Sequence, residues 1–89
     1  MEIGAEISMY PLREQHDEVI IEFIRGLKQK EGLRIHSNDM STQIAGEANT
    51  VFSAIQELSI WVMERSVNTV VVVKYLNKAI EPGRTFEIE

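Results

Sequence analysis

Cysteine is absent from this chain. Disulfides and thiolate-held metals are therefore excluded, and the composition fits a reducing compartment, so a cytoplasmic location is expected. Long apolar runs are also missing. No stretch approaches the ~18 consecutive apolar residues of a membrane-crossing helix, and Met1–Gly4 has neither the basic region nor the apolar run of a leader peptide. Positive charge is scarce: 9 Lys and Arg against 14 Asp and Glu leave a formal net charge of −5. Such a surface repels phosphate backbones and argues against a nucleic-acid partner, while it suits a small cationic ligand. Histidine occurs twice, at His16 and His36, on different elements and without metal-ligand spacing, so no metal site is expected. A glycine-rich phosphate loop and a nucleophile elbow are both lacking. No catalytic residue is assigned, and the chain is read as a binding protein, not an enzyme.

What is present is 89 residues with 44% apolar and 26% charged content. That is one globular domain near the lower limit for a self-sufficient core, a size at which pairing with another copy often adds stability. Glu2–Tyr10 alternates, with Ile3, Ala5, Ile7 and Met9 on one face, and predicts a strand closed by Pro11. Asp17–Lys30 carries Ile20, Phe23, Ile24 and Leu27 at helical spacing, with acids at its start, lysines at its end and Gly32 as a C-terminal cap. Leu33–Ser37 and Met40–Ala45 are predicted as short strands joined by the turn pair Asn38-Asp39. Gly46 is expected to break the pattern, and Asn49 to cap a second helix whose buried stripe is Val51, Phe52, Ile55, Leu58 and Val62, with Trp61 at its edge. The β-branched run Thr69–Val73 gives the strongest strand signal, within Val67–Leu76.

The order β-α-β-β-α-β, with right-handed crossovers and short connections, predicts an α+β ferredoxin-like sandwich. Its four-stranded antiparallel sheet has the order 4-1-3-2 and carries both helices on one face. Residues 1–78 form this domain. Residues 79–89 form a C-terminal tail, with room for a short extra strand over Thr85–Ile88, and Glu81–Glu89 can exchange between subunits or stay loose.

Two helices on one face leave the other bare. Met40, with Ile44, is placed on the helix side. Glu6, Ser8, Tyr10, Arg34, His36, Asn38, Ser41, Gln43, Val70, Val72 and Lys74 are placed on the bare side. Val70 and Val72 next to Tyr10 are out of place on a wet surface, so sheet-on-sheet packing against a second copy is expected. Glu6 and Lys74 are placed as cross-strand partners, either as an ordinary ion pair or with Glu6 serving a ligand.

The most informative stretch is Ser37–Glu47, SNDMSTQIAGE. Small hydroxyl and amide groups inside a short strand mark either a solvated sheet face or the floor of a pocket. The fold alone does not decide. The acylphosphatases share it, but their anion loop after the first strand has no counterpart in Pro11-Leu-Arg-Glu14. RNA-recognition domains need exposed aromatics that only Tyr10 supplies.

The stretches Glu6-Ile-Ser-Met-Tyr-Pro-Leu12 and Asn38-Asp-Met-Ser-Thr-Gln-Ile44, with Gly46-Glu47, resemble the thiamine-binding family typified by YkoF, over Ile3 to about Asn77. The resemblance implies a ferredoxin-like domain that binds thiamine or its hydroxymethylpyrimidine fragment without an established catalytic activity. It also implies a homodimer or a dimer of dimers, because YkoF carries two such domains in one chain. By motif position it carries ligand contact onto Ser8, Asn38, Met40, Ser41 and Thr42, and onto Glu6. In the same frame Glu6 can hold a protonated ring nitrogen or offset the thiazolium charge, and Tyr10 and Met40 can meet the ring faces. Ser41 and Thr42 fall on opposite sides of the strand, so both can reach one ligand only at a bulge or at the strand's end. Two rival readings stand beside this one. The first is a regulatory or scaffolding module that binds a protein partner or an amino acid through the open face. The second is a small enzyme using Glu6 or His36 as acid or base.

Overall fold

β1 (Glu2–Pro11) is central because its alternation lets one face be buried under helices while both edges find partners. In the computed structural model, which describes residues 1–12, 16–65 and 68–86, the order is β1, α1 (His16–Lys28), β2 (Arg34–Ser37), β3 (Thr42–Glu47), α2 (Ala48–Arg65) and β4 (Thr69–Leu76). The four strands form one antiparallel sheet in the order β2-β3-β1-β4, the expected order read from the opposite edge. The register sets Ile7 opposite Thr42 and Val73, Glu6 opposite Gln43 and Lys74, and Tyr10 opposite Val70. Arg13, Glu14, Ser66 and Val67, to which the sequence assigned loop and element ends, lie outside the described residues.

The core lies between the sheet and the helices. Ile3, Ala5, Ile7 and Ile44 meet Val19, Phe23 and Leu27 of α1 and Val51, Ala54, Ile55, Leu58 and Val62 of α2. Each fully buried aliphatic or aromatic side chain here contributes about 1.5–3 kcal/mol. In α1 the fully buried stripe starts at Val19, while Ile20 and Ile24 are only half-buried. In α2 Ala54 holds a core position, and Phe52 does not: it is 47% exposed and rests on Tyr75 of β4, with ring centroids 4.7 Å apart. Phe52 therefore lies against β4, the edge strand of the sheet, and not in the core.

Several local expectations are corrected. Gly46 does not end β3 but sits in it, opposite Ile3. A side chain there would come within 2.7 Å of the Gly32 carbonyl oxygen, so glycine permits a close backbone approach without breaking the strand. Asn49 does not cap α2. The Glu47 carboxylate does so, accepting the Asn49 backbone N–H at 2.8 Å. Met40 is not on the helix side of a strand but in the turn before β3, 83% exposed. Gly32 does close α1's exit, with φ of +82°.

The largest departure concerns the bare face. After β4 the chain folds back across it. Ile80 sits over Gly4, where a Cβ would lie 2.8 Å from the isoleucine side chain. The Gly83 N–H donates to Gln43 Oε1 at 2.9 Å, and Gly83 packs on the His36 ring. Residues 77–86 thus form a strap over one half of the open face, which accounts for the full burial of Ala45 on that side. No extra strand forms at Thr85 and Phe86, and 87–89 lie outside the described residues. The other half, bearing Ser8, Tyr10, Val70 and Val72, is uncovered.

Candidate functional site

The polar stretch identified in the sequence becomes a tight four-residue connection between β2 and β3. Asn38 organises it. Its Oδ1 accepts the backbone N–H groups of Met40 and Ser41 at 2.8 and 2.9 Å, and its own N–H donates to the Ser41 carbonyl at 2.9 Å. This is the side-chain mimicry of a turn for which asparagine is suited. At the base of the turn the Ser37 and Thr42 hydroxyls are 2.8 Å apart, and Thr42 is buried on the helix side. Ser41, one residue earlier, faces the other way: its Oγ donates to Glu6 Oε2 at 3.0 Å. Glu6 is also 3.7 Å from Lys74 Nζ, so the expected cross-strand pair is present. Being exposed, it adds little to stability.

The turn overhangs a cleft of about 150 Å³ at the end of the sheet. Ile7 and Met9 of β1 and Ile20, Phe23 and Ile24 of α1 give it apolar walls. Asn38, Asp39, Met40, Ser41 and Thr42 give it a polar rim, with Tyr10 beside them. An apolar cavity of about this volume accommodates a benzene-sized ring. The half-burial of Ile20 and Ile24 follows from this: they face the cleft where their neighbours face the packed core.

Of the residues singled out in the sequence, Tyr10, Asn38, Met40, Ser41 and Thr42 are brought together around this cleft. Glu6 and Ser8 are not among its lining residues. They lie on the open face, where Glu6 joins Gln43, Lys74, Leu76 and Ile80 around a shallower depression. Ser41 and Thr42 both border the cleft at the end of the hairpin, but the Ser41 hydroxyl is turned to Glu6 on the open face. Sequence reasoning missed Ile20, Phe23 and Ile24, which read as an ordinary core stripe, and Asp39, which read only as a turn residue. Among the described residues no group of three or more His, Asp or Glu side chains is placed to hold a metal. No helix among them is long and apolar enough to cross a membrane.

The YKOF-related family model matches residues 2–78. The chain is a member of the YKOF-related family. Solved structures of similar fold include a candidate thiamine biosynthesis or salvage protein from Thermotoga maritima, 19% identical, covering 90% of this chain and 89% of that one with a TM-score of 0.78. A Streptococcus pneumoniae protein is 21% identical, covers 90% of each chain and has a TM-score of 0.80. A hypothetical protein of Methanocaldococcus jannascii is 22% identical, covers 86% of this chain and 80% of that one, and has a TM-score of 0.76. No protein of curated function matches the sequence. At these identities the structural likeness speaks to fold. The family match spans both β1 and the 38–47 stretch that frame the cleft.

Proposed function

We propose that this YKOF-related chain binds thiamine, or its hydroxymethylpyrimidine fragment, without chemical turnover. The observation that carries the reading is the cleft itself. Its apolar walls from Ile7, Met9, Phe23 and Ile24 suit a flat heterocycle, and its rim of short polar side chains suits the ring nitrogens and amino group of an aminopyrimidine. The candidate role of the similar Thermotoga maritima protein in thiamine biosynthesis or salvage supports the choice of ligand. Tyr10 and Met40 would flank the ring, Thr42 would supply a hydroxyl, and Ser41 would border the ring from the turn. Glu6 would act one step back, by orienting Ser41 through their hydrogen bond.

Isothermal titration with thiamine and with hydroxymethylpyrimidine tests this. Saturable heat with at least one of them, lost in Ile24→Arg, is expected. No heat from either at millimolar concentration would overturn it. The protein is further proposed to act in the cytoplasm as a homodimer or a dimer of dimers, with the uncovered half of the sheet face as the contact. Val70 and Val72 are 48% and 44% exposed there beside Tyr10, an arrangement that packing against a second sheet would relieve. Analytical ultracentrifugation at micromolar concentration should show a dimer or larger species, and a monomer would refute the assembly.

A further inference from the structure

The lining of the cleft has a charge sign. Among the described lining residues Asp39, in the 38–41 turn, is the one carboxylate, and none is Lys, Arg or His. The walls behind it are apolar, so a ligand ring seated against Ile24 and Met9 would carry any substituent charge towards the rim where Asp39 stands. The whole chain adds a background of −5, which raises the local concentration of cations and repels anions. We propose that Asp39 makes the cleft selective for an unphosphorylated, positively charged heterocycle, and that it discriminates both against a neutral fragment and against a phosphate ester of the same ligand. This rests on the thiamine reading above and refines it. The thiazolium of thiamine is a fixed cation, hydroxymethylpyrimidine is neutral near pH 7, and thiamine monophosphate adds negative charge at the rim.

The physical expectation is modest because Asp39 is exposed. A cation within ~4–5 Å of an exposed carboxylate gains on the order of a few-fold in affinity, and the gain shrinks with salt. Asn at position 39 keeps the turn, since it tolerates the same backbone conformations and removes only the charge. Titration calorimetry of the wild type and Asp39→Asn with thiamine, hydroxymethylpyrimidine and thiamine monophosphate, at low and high salt, separates the possibilities. Asp39→Asn should weaken thiamine about five-fold at low salt and less at high salt. It should weaken hydroxymethylpyrimidine less than thiamine and improve the monophosphate relative to thiamine. Equal weakening of thiamine and hydroxymethylpyrimidine would assign Asp39 to the turn and overturn the selectivity. Monophosphate binding as tight as thiamine in the wild type would overturn it as well. Silence from all three ligands would instead remove the thiamine reading, and this refinement with it.

Discussion

Replacing Gly83 with alanine tests the strap that covers half of the sheet. Two costs act at this position. Its φ is +80°, a left-handed conformation that costs a non-glycine residue about 1–2 kcal/mol. The new methyl would also fall 2.6 to 3.0 Å from atoms of the His36 ring, an overlap that must displace the ring or the strap. Yet the loss has a ceiling, because the strap can let go of the sheet while the rest of the fold stays intact. Its docking rests on a half-buried Ile80, about half of the 1.5–3 kcal/mol of a fully buried side chain, and on the Gly83–Gln43 hydrogen bond, about 1 kcal/mol. Gly83→Ala should therefore cost about 2–3 kcal/mol at most, a fall in Tm on the order of 10–20 °C for a domain of this size. The residues that gain exposure should be confined to 77–86 and the sheet positions beneath them. His36→Ala in the same background should return the part due to overlap but not the part due to φ. Urea unfolding gives the free energies, and amide hydrogen exchange gives the location. A loss above ~5 kcal/mol, or unchanged exchange in 77–86 with unchanged stability, would refute the picture of a separately detachable strap.

Further expectations concern the frame of the site. Gly46→Ala should destabilise by about 1–3 kcal/mol, because its Cβ would press on the Gly32 carbonyl oxygen, a backbone atom that cannot rotate away; thermal unfolding measures it. The Asn49 N–H, and secondarily the N-terminal ammonium, hold the Glu47 carboxyl below the usual carboxylate range. Its stabilising contribution is therefore present above that range and lost as pH falls through it towards the lowered value, and Glu47→Gln should flatten this part of the stability–pH curve. Phe52→Ala should cost about 1 kcal/mol, the scale of an exposed aromatic pair, whereas Ile55→Ala in the same helix should cost about 2–5 kcal/mol. Equal losses at the two positions would contradict the placement of Phe52 over Tyr75 at the sheet's edge.

Alternation and helical spacing carried most of the fold. They placed Ile3, Ala5, Ile7 and Ile44 in the core and set Glu6 across from Lys74, because period and strand order constrain which side of an element is buried. They failed where the answer depended on a neighbour distant in sequence. Nothing near Gly46 announces that the Gly32 carbonyl will approach it, so the glycine read as a break. Nothing in Ala79–Phe86 announces that Gln43 and His36 will receive it, so the face it covers read as bare. Phe52 fits a helical stripe by spacing alone, and only its contact with Tyr75 on the edge strand shows that it lies outside the core.

The same distinction explains how the site was half legible. The short polar residues of 38–42 stood out because they are unusual in a strand, and Asn38 and Asp39 because they favour turns. The apolar wall from α1 did not stand out, since Ile20 and Ile24 obey the spacing of a core stripe whether they face a packed sheet or a cleft. What separates the two cases is the position of the sheet's end. β1 continues through Met9 to Pro11, whereas β3 begins only at Thr42, so the sheet is ragged at this corner. Where β1 lacks its neighbour, the side chains of α1 have no strand to pack against, and the 38–41 turn bridges the gap without filling it. The cleft is thus a consequence of unequal strand lengths. A variant that lengthened β3 towards Asn38 would close it while leaving every core residue in place.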